Sequence, residues 1–162
     1  MWVILRVRGR HSLRITEEVG GFRPEYRRWT KPARKKKPVI SRVPLFSGWV
    51  FLEYTEEAYK KAMGVPGVYG AVKYGRRGPL LLTDDDMERI VAMQDMADQA
   101  PGQDEGDEDI RSRWSIGDEV QIELLGLTGR IIGFKGNDAQ VEVRGIEHRF
   151  TVSYLLLRSP VI

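Results

Sequence analysis

Hydrophobic and polar positions alternate in distinct ways along this chain, and the changes of period mark its elements. WVILRV (2–7) is an almost continuous apolar, β-branched run and predicts a buried strand. RHSLRITEEV (10–19) follows a helical period, with Leu13 expected inside and Arg10, Arg14 and Glu17 outside; Gly20-Gly21 ends it. GFRPEYRRW (21–29) predicts a strand near an edge, because Pro24 lacks an amide to donate. TKPARKKKPVISR (30–42) cannot bury itself and predicts a loop or an extended hairpin in solvent.

LFSGWVFLEY (45–54) predicts one strand with Trp49 and Phe51, two residues apart, on the same face. TEEAYKKAM (55–63) begins with a capping threonine followed by two glutamates, which suit the positive end of a helix. GVPGVYGAVKYG (64–75) predicts a glycine-edged strand. TDDDMERIVAMQDMADQ (83–99) opens with a strong helix-start signal, and Met87, Ile90, Val91 and Met96 are expected on one core-facing side.

DQAPGQDEGDEDIRS (98–112) is acidic and nearly free of apolar residues, so nothing in it offsets the entropy of ordering; it predicts a flexible linker. Beyond it the period becomes that of short strands. Val120, Ile122 and Leu124 alternate with polar residues, as do Ala139, Val141 and Val143. KGND (135–138) predicts a hairpin turn in which Gly136 and Asn137 take positive φ. About 50 residues of this kind predict a small β-barrel. The boundaries read as 1–97, 98–112 and 113–162.

Charge sharpens this division. Residues 1–80 carry 18 Lys/Arg against 6 Asp/Glu, residues 81–109 carry 1 against 11, and residues 110–162 carry 7 against 6, within a net charge of +3. A cationic body beside an acidic segment suits a polyanion partner for the body. With 41% hydrophobic and 30% charged residues the composition is that of a soluble globular protein, and no apolar run approaches the about 20 residues that span a bilayer. The start is charged too early for a secretory signal. The chain has no cysteine, which excludes disulfides and thiolate metal sites and agrees with a reducing cytoplasm.

Catalytic chemistry finds no support in the residue pattern. His11 and His148 stand without partners at metal-ligand spacing. Asp84–Asp86 are explained by the helix start, and GRRGP (75–79) lacks the spacing and lysine of a phosphate loop. The expectation is a binding protein rather than an enzyme, with no catalytic residue, metal or cofactor.

LFSGWVFLEY resembles the third-strand motif of the NusG family of transcription elongation factors. The resemblance runs on in order through WVILRV, FRPEY, VPGVYGAVKYGRRGPLLLTDDDMERI, IGDEVQI, LTGRI with its Gly129, and FTVSYLLL. It implies an α+β chain: an N-terminal NGN domain, an antiparallel sheet with flanking helices, then a C-terminal KOW domain, an SH3-like β-barrel. It also implies binding of Trp49 and Phe51 to the β′ clamp helices of RNA polymerase, with Ala58–Lys61 falling where members meet the β lobe. The cationic loop (Lys31, Arg34, Lys35, Lys36, Lys37) and the first-helix residues Arg10, His11 and Arg14 would then meet upstream or non-template DNA of the transcription bubble. The implied role is modulation of pausing or termination by a chain that is monomeric when free, with the KOW domain recruiting a further partner.

Two departures point to a specialised paralogue. The family's PGY is SGW here, with Ser47 and Trp49 as replacements. The loop that in housekeeping members reaches Rho or a ribosomal protein is reduced to LLGL (124–127). Two other readings stand beside this one: a KOW-containing, ribosome- or translation-associated protein, and a free-standing nucleic-acid-binding regulator.

Overall fold

The computed structural model describes residues 1–30, 37, 39–99, 113–123, 125–136 and 138–160, with the backbone alone for 28–30 and 96–99. The chain is mixed α+β with antiparallel sheets. The first sheet is built around β1 (Trp2–Val7), with β5 (Trp49–Glu53) on one side and β6 (Val68–Ala71) and β7 (Leu81–Leu82) on the other. Every pairing with β1 is antiparallel, and Ile4 lies opposite Phe51 while Arg6 lies opposite Trp49.

Alternation gives this sheet two apolar faces. Val3, Leu5, Val7, Val50 and Leu52 form one, sealed by Ile15 of α1 (Ser12–Val19) and Ala62 of α2 (Glu56–Met63). Ile4, Trp49, Phe51 and Leu82 belong to the other, where Met87 and Ile90 of α3 (Asp84–Gln99) join them. The hairpin β2 (Glu25–Thr30) with β3 (Val39–Pro44) is tied to α3 where the Glu25 amide donates to Gln94 Oε1 at 3.0 Å. Arg23 and Arg42 both donate to the Glu25 carboxylate, each at 2.6 Å. Burial alone would raise the Glu25 pKa, but the hydrogen bonds from Arg23 and Arg42 outweigh it and hold it low.

Helix ends follow the sequence signals. Thr55 Oγ1 accepts from the Ala58 amide at 3.0 Å, and Gly20 closes α1 in the left-handed region at φ 67°. Thr83 and Asp86 cap α3 reciprocally: the Thr83 amide donates to Asp86 Oδ2 at 2.8 Å and the Asp86 amide to Thr83 Oγ1 at 3.1 Å.

Two helix-face expectations need correction. Leu13 is exposed, not inside. A short 3₁₀ turn (Gly9–His11) precedes α1, so the helix begins at Ser12 and its inward positions are Ser12, Ile15 and Val19. On α3, Met87 and Ile90 are buried while Val91 is 41% exposed at the border of the core face. The Met96 side chain lies outside the described residues.

The C-terminal part contains β8 (Glu119–Ile122), β9 (Leu127–Lys135), β10 (Asp138–Val143), β11 (Phe150–Ser153) and β12 (Leu157–Arg158). Gly136 takes φ 61° in the β9–β10 turn, as expected; Asn137 lies outside the described residues. Gly129 sits where a Cβ would meet Val141 Cγ1 at 2.6 Å and the Glu142 carbonyl at 2.7 Å, so the strands approach too closely for any side chain. The predicted barrel is not closed. The strands form an open sheet in the order β12-β8-β9-β10-β11-β4, whose last member, β4 (Phe46–Ser47), belongs to the N-terminal half. The backbone of 100–112, most of the expected linker, lies outside the described residues, as does Leu124 of the LLGL loop.

Candidate functional site

The stretch read as one strand is two. Gly48, at φ 75°, turns the chain between Phe46–Ser47 and Trp49–Glu53, and its carbonyl accepts from the Val7 amide at 2.8 Å. A Cβ at Gly48 would come within 3.2 Å of the Val7 carbonyl, and the positive φ disfavours one in any case. β4 therefore leaves the first sheet and pairs with β11, Ser47 opposite Thr151 and Phe46 opposite Val152, while β5 stays beside β1.

This break brings four rings together. Phe46 and Trp49 stack at 4.9 Å with planes 11° apart, and the Trp49 edge meets Phe51 at 6.3 Å. Phe150, from β11, closes on Trp49 at 4.5 Å and 80°. Such edge and offset contacts add to the apolar area the rings bury. Trp49 is 5% exposed and Phe51 fully buried. Their surroundings differ: Phe51 packs on Phe46 at 5.8 Å and its backbone exchanges both hydrogen bonds with Phe22 at 2.7 Å, whereas Trp49 also has a ring of the C-terminal half against it.

Polar contacts complete the junction between the halves. Tyr26 Oη and Ser153 Oγ lie 3.2 Å apart in a buried hydrogen bond, and the Ser153 amide donates to the Leu45 carbonyl at 3.0 Å. Arg6 Nη1 donates to His148 Nε2 at 2.9 Å. A guanidinium only donates, so His148 accepts through Nε2 as a neutral ring with its proton on Nδ1. Burial lowers the His148 pKa, Arg6 and Lys73 lower it further, and Glu147 opposes them.

The cationic candidates divide. Arg10 and Arg14 are exposed and His11 half-buried at the start of α1. Desolvation lowers the His11 pKa, followed by the charges of Arg14, Arg10 and Arg8, so these cations lie around one ring. Arg14 is partly committed, since it pairs with Glu18 at 2.8 Å and donates to the Pro66 carbonyl at 3.3 Å. Lys37 is exposed, and Lys31, Arg34, Lys35 and Lys36 lie outside the described residues. On α2, Lys60 pairs with Glu56 at 3.5 Å in a fully solvated i,i+4 bridge. Among the described residues no group of three or more His, Asp or Glu is placed to hold a metal ion.

Sequence reasoning missed Phe150, Arg6, His148, Tyr26 and Ser153 as members of one surface. One signal was available. Arg6 is the single charged residue in the otherwise apolar WVILRV, and a cation in a buried strand calls for a partner.

Comparison with known proteins gives likenesses of structure. No family model matches the chain. No curated protein matches it either. A solved structure described as "Domain interaction in Thermotoga maritima NusG" is similar at 18% identity and TM-score 0.40, over 98% of this chain and 96% of that one. Another, "Crystal Structure of MjSpt4:Spt5 complex conformation A", is similar at 13% identity and TM-score 0.33, over 98% of this chain and 96% of that one. At TM-scores this low neither likeness carries weight on what the chain does.

Proposed function

We propose that the chain is a transcription elongation factor of the NusG type that docks on the β′ clamp helices of RNA polymerase through the Trp49 face and modulates pausing or termination. The observation that carries this reading is the cover of Trp49. A large aromatic whose cover, beyond Phe46 and Phe51 of its own half, includes a ring of the other half forms a surface that a partner can take over when that half moves away. The ordered run of motifs from WVILRV to FTVSYLLL supports the same reading. The units are residues 1–97, an NGN-type domain, and 113–162, a KOW-type domain that recruits a further partner, joined by 98–112. Arg10, His11, Arg14 and the cationic loop at 31–37 contribute salt-sensitive contacts to DNA beside the bubble. The chain acts by binding rather than by catalysis, in the cytoplasm, as a specialised paralogue.

Polymerase docking through Trp49 then requires the C-terminal half to undock. The sequence offers a clean test because it contains no cysteine. Ser47 and Thr151 are directly paired across β4 and β11, at a separation suited to a disulfide. The doubly substituted chain, Ser47→Cys with Thr151→Cys, should lose capture by core RNA polymerase when oxidised and regain it when reduced. Equal capture in both states would sink the reading. The free-standing nucleic-acid-binding regulator predicts no capture in either state.

A further inference from the structure

The ion pairs seen among the described residues engage Arg14, Arg23, Arg42, Lys60, Arg89 and Arg158. A different set of cations gathers where the two halves meet, with no ion-pair partner among the described residues. Arg6 projects from β1 on the face of Ile4, two residues away, and reaches toward the junction. Lys73, just beyond β6, is exposed, and its charge acts on His148. His148 itself is held by Arg6, and the neighbouring Arg149 is exposed. Tyr74, next to Lys73, lies against the C-terminal half, where a Cβ on Gly145 would stand 3.7 Å from its ring. Among the described residues, Glu147 is the carboxylate acting on His148. Tyr69 stands beside this strip: it falls at the register shift between Gly70, opposite Arg6, and Val68, opposite Val7, and is 61% exposed.

We propose that this junction is a binding cleft for single-stranded nucleic acid, in which Arg6 and Lys73 of the N-terminal half and Arg149 of the C-terminal half hold successive phosphates while Tyr69 stacks a base. Repeated cations beside an exposed ring are the chemistry of sequence-tolerant single-strand binding, since phosphates supply charge and every base has a face to stack. A duplex offers the phosphates but keeps its bases paired, so it leaves Tyr69 unused. The cleft is complete only while the halves are docked, because Arg149 and His148 come from one half and the remaining cations from the other. Strand binding therefore favours the docked arrangement. The inference rests on the nucleic-acid part of the proposed function and is independent of polymerase docking.

The test titrates the full chain against a fluorescently labelled single-stranded oligothymidine at several salt concentrations. Lys73→Ala with Arg149→Ala removes one exposed cation from each half without touching the core. This pair should weaken binding about tenfold or more and flatten the salt dependence by about 1.4 units, at about 0.7 for each phosphate of a single strand that is no longer neutralised. Tyr69→Ala should weaken binding about tenfold with the slope unchanged. Lys60→Ala, on α2, should change neither. The oxidised Ser47→Cys/Thr151→Cys chain should still bind the oligonucleotide. An unchanged slope in the Lys73/Arg149 pair overturns the cleft. So does equal affinity for a duplex of the same length, or loss of binding in the cross-linked chain. Polymerase capture by the Lys73/Arg149 pair should match the parent, so a failure here and a failure of polymerase docking remain separate results.

Discussion

The two faces of the β1–β5 sheet are equally apolar but are covered from different distances along the chain. Val3, Leu5, Val50 and Leu52 are sealed by α1 and α2, which directly follow β1 and β5. Ile4, Trp49 and Phe51 face a core assembled from α3, the β2–β3 hairpin and, through Phe150, a strand from the far end of the sequence. The first cover is built into the local connection. The second depends on docking two halves, so part of it can be exchanged for another partner. Burial alone does not distinguish the faces, since Phe51 and Val50 are both fully buried; what differs is whether the covering atoms can leave without unfolding the sheet.

The largest effects test the permanent parts of both faces. Phe51→Ala should cost about 3–5 kcal/mol, and Leu5→Ala on the opposite face about 2–5 kcal/mol, both read from urea unfolding. Both should shift the transition of the N-terminal half, because β1 and β5 are shared by the two faces. If Phe51→Ala instead left that transition in place and only released the C-terminal half, the distinction between Phe51 and Trp49 would fail.

Gly129→Ala tests the C-terminal half by itself. The added methyl has no room against Val141 and the Glu142 carbonyl, and overpacking of this kind costs about 1–3 kcal/mol. Circular dichroism melts should show a lowered β transition, with the N-terminal transition moved far less. Equal loss in both would mean that the halves unfold as one unit and that the junction is as permanent as the α1/α2 face.

Tyr26→Phe acts on the junction. It removes the hydroxyl that meets Ser153 and should weaken docking by about 1 kcal/mol. Small-angle scattering should show a larger fraction of extended chain while the melting of each half stays close to the parent.

The smallest effect is a pH dependence. His148 has a lowered pKa in the docked state, so the undocked chain binds the proton more readily. Docking strength from this pair is complete above the ordinary histidine value of 6.5 and falls as the pH drops below it toward the docked value. Scattering should report opening on acidification, and His148→Gln should flatten that response. A parent chain that tightens on acidification would assign the wrong protonation state to the Arg6–His148 contact.

Much of this architecture was legible in the sequence because its causes are local. Apolar runs marked β1 and β5, Thr55 and Thr83 announced α2 and α3, Gly20 closed α1, alternation marked β8 and β10, and a glycine turn marked the start of β10. These signals act over a few residues through capping, dihedral preference and side-chain period, so each can be read without knowing its neighbours in space. The aromatic run at 46–51 also identified the candidate surface. The chain's own residues did not reveal that Gly48 divides this run between two sheets, that Leu13 turns outward after a 3₁₀ turn, or that the expected barrel opens to accept β4. Nor did they reveal that Phe150 covers Trp49, or that Arg6 finds His148 across the junction. Each depends on contacts between segments distant along the chain, and a hydrophobic period records that a side chain is buried without recording what buries it. Tertiary packing alone selected that partner, because apolar burial is non-directional and many surfaces satisfy it equally well.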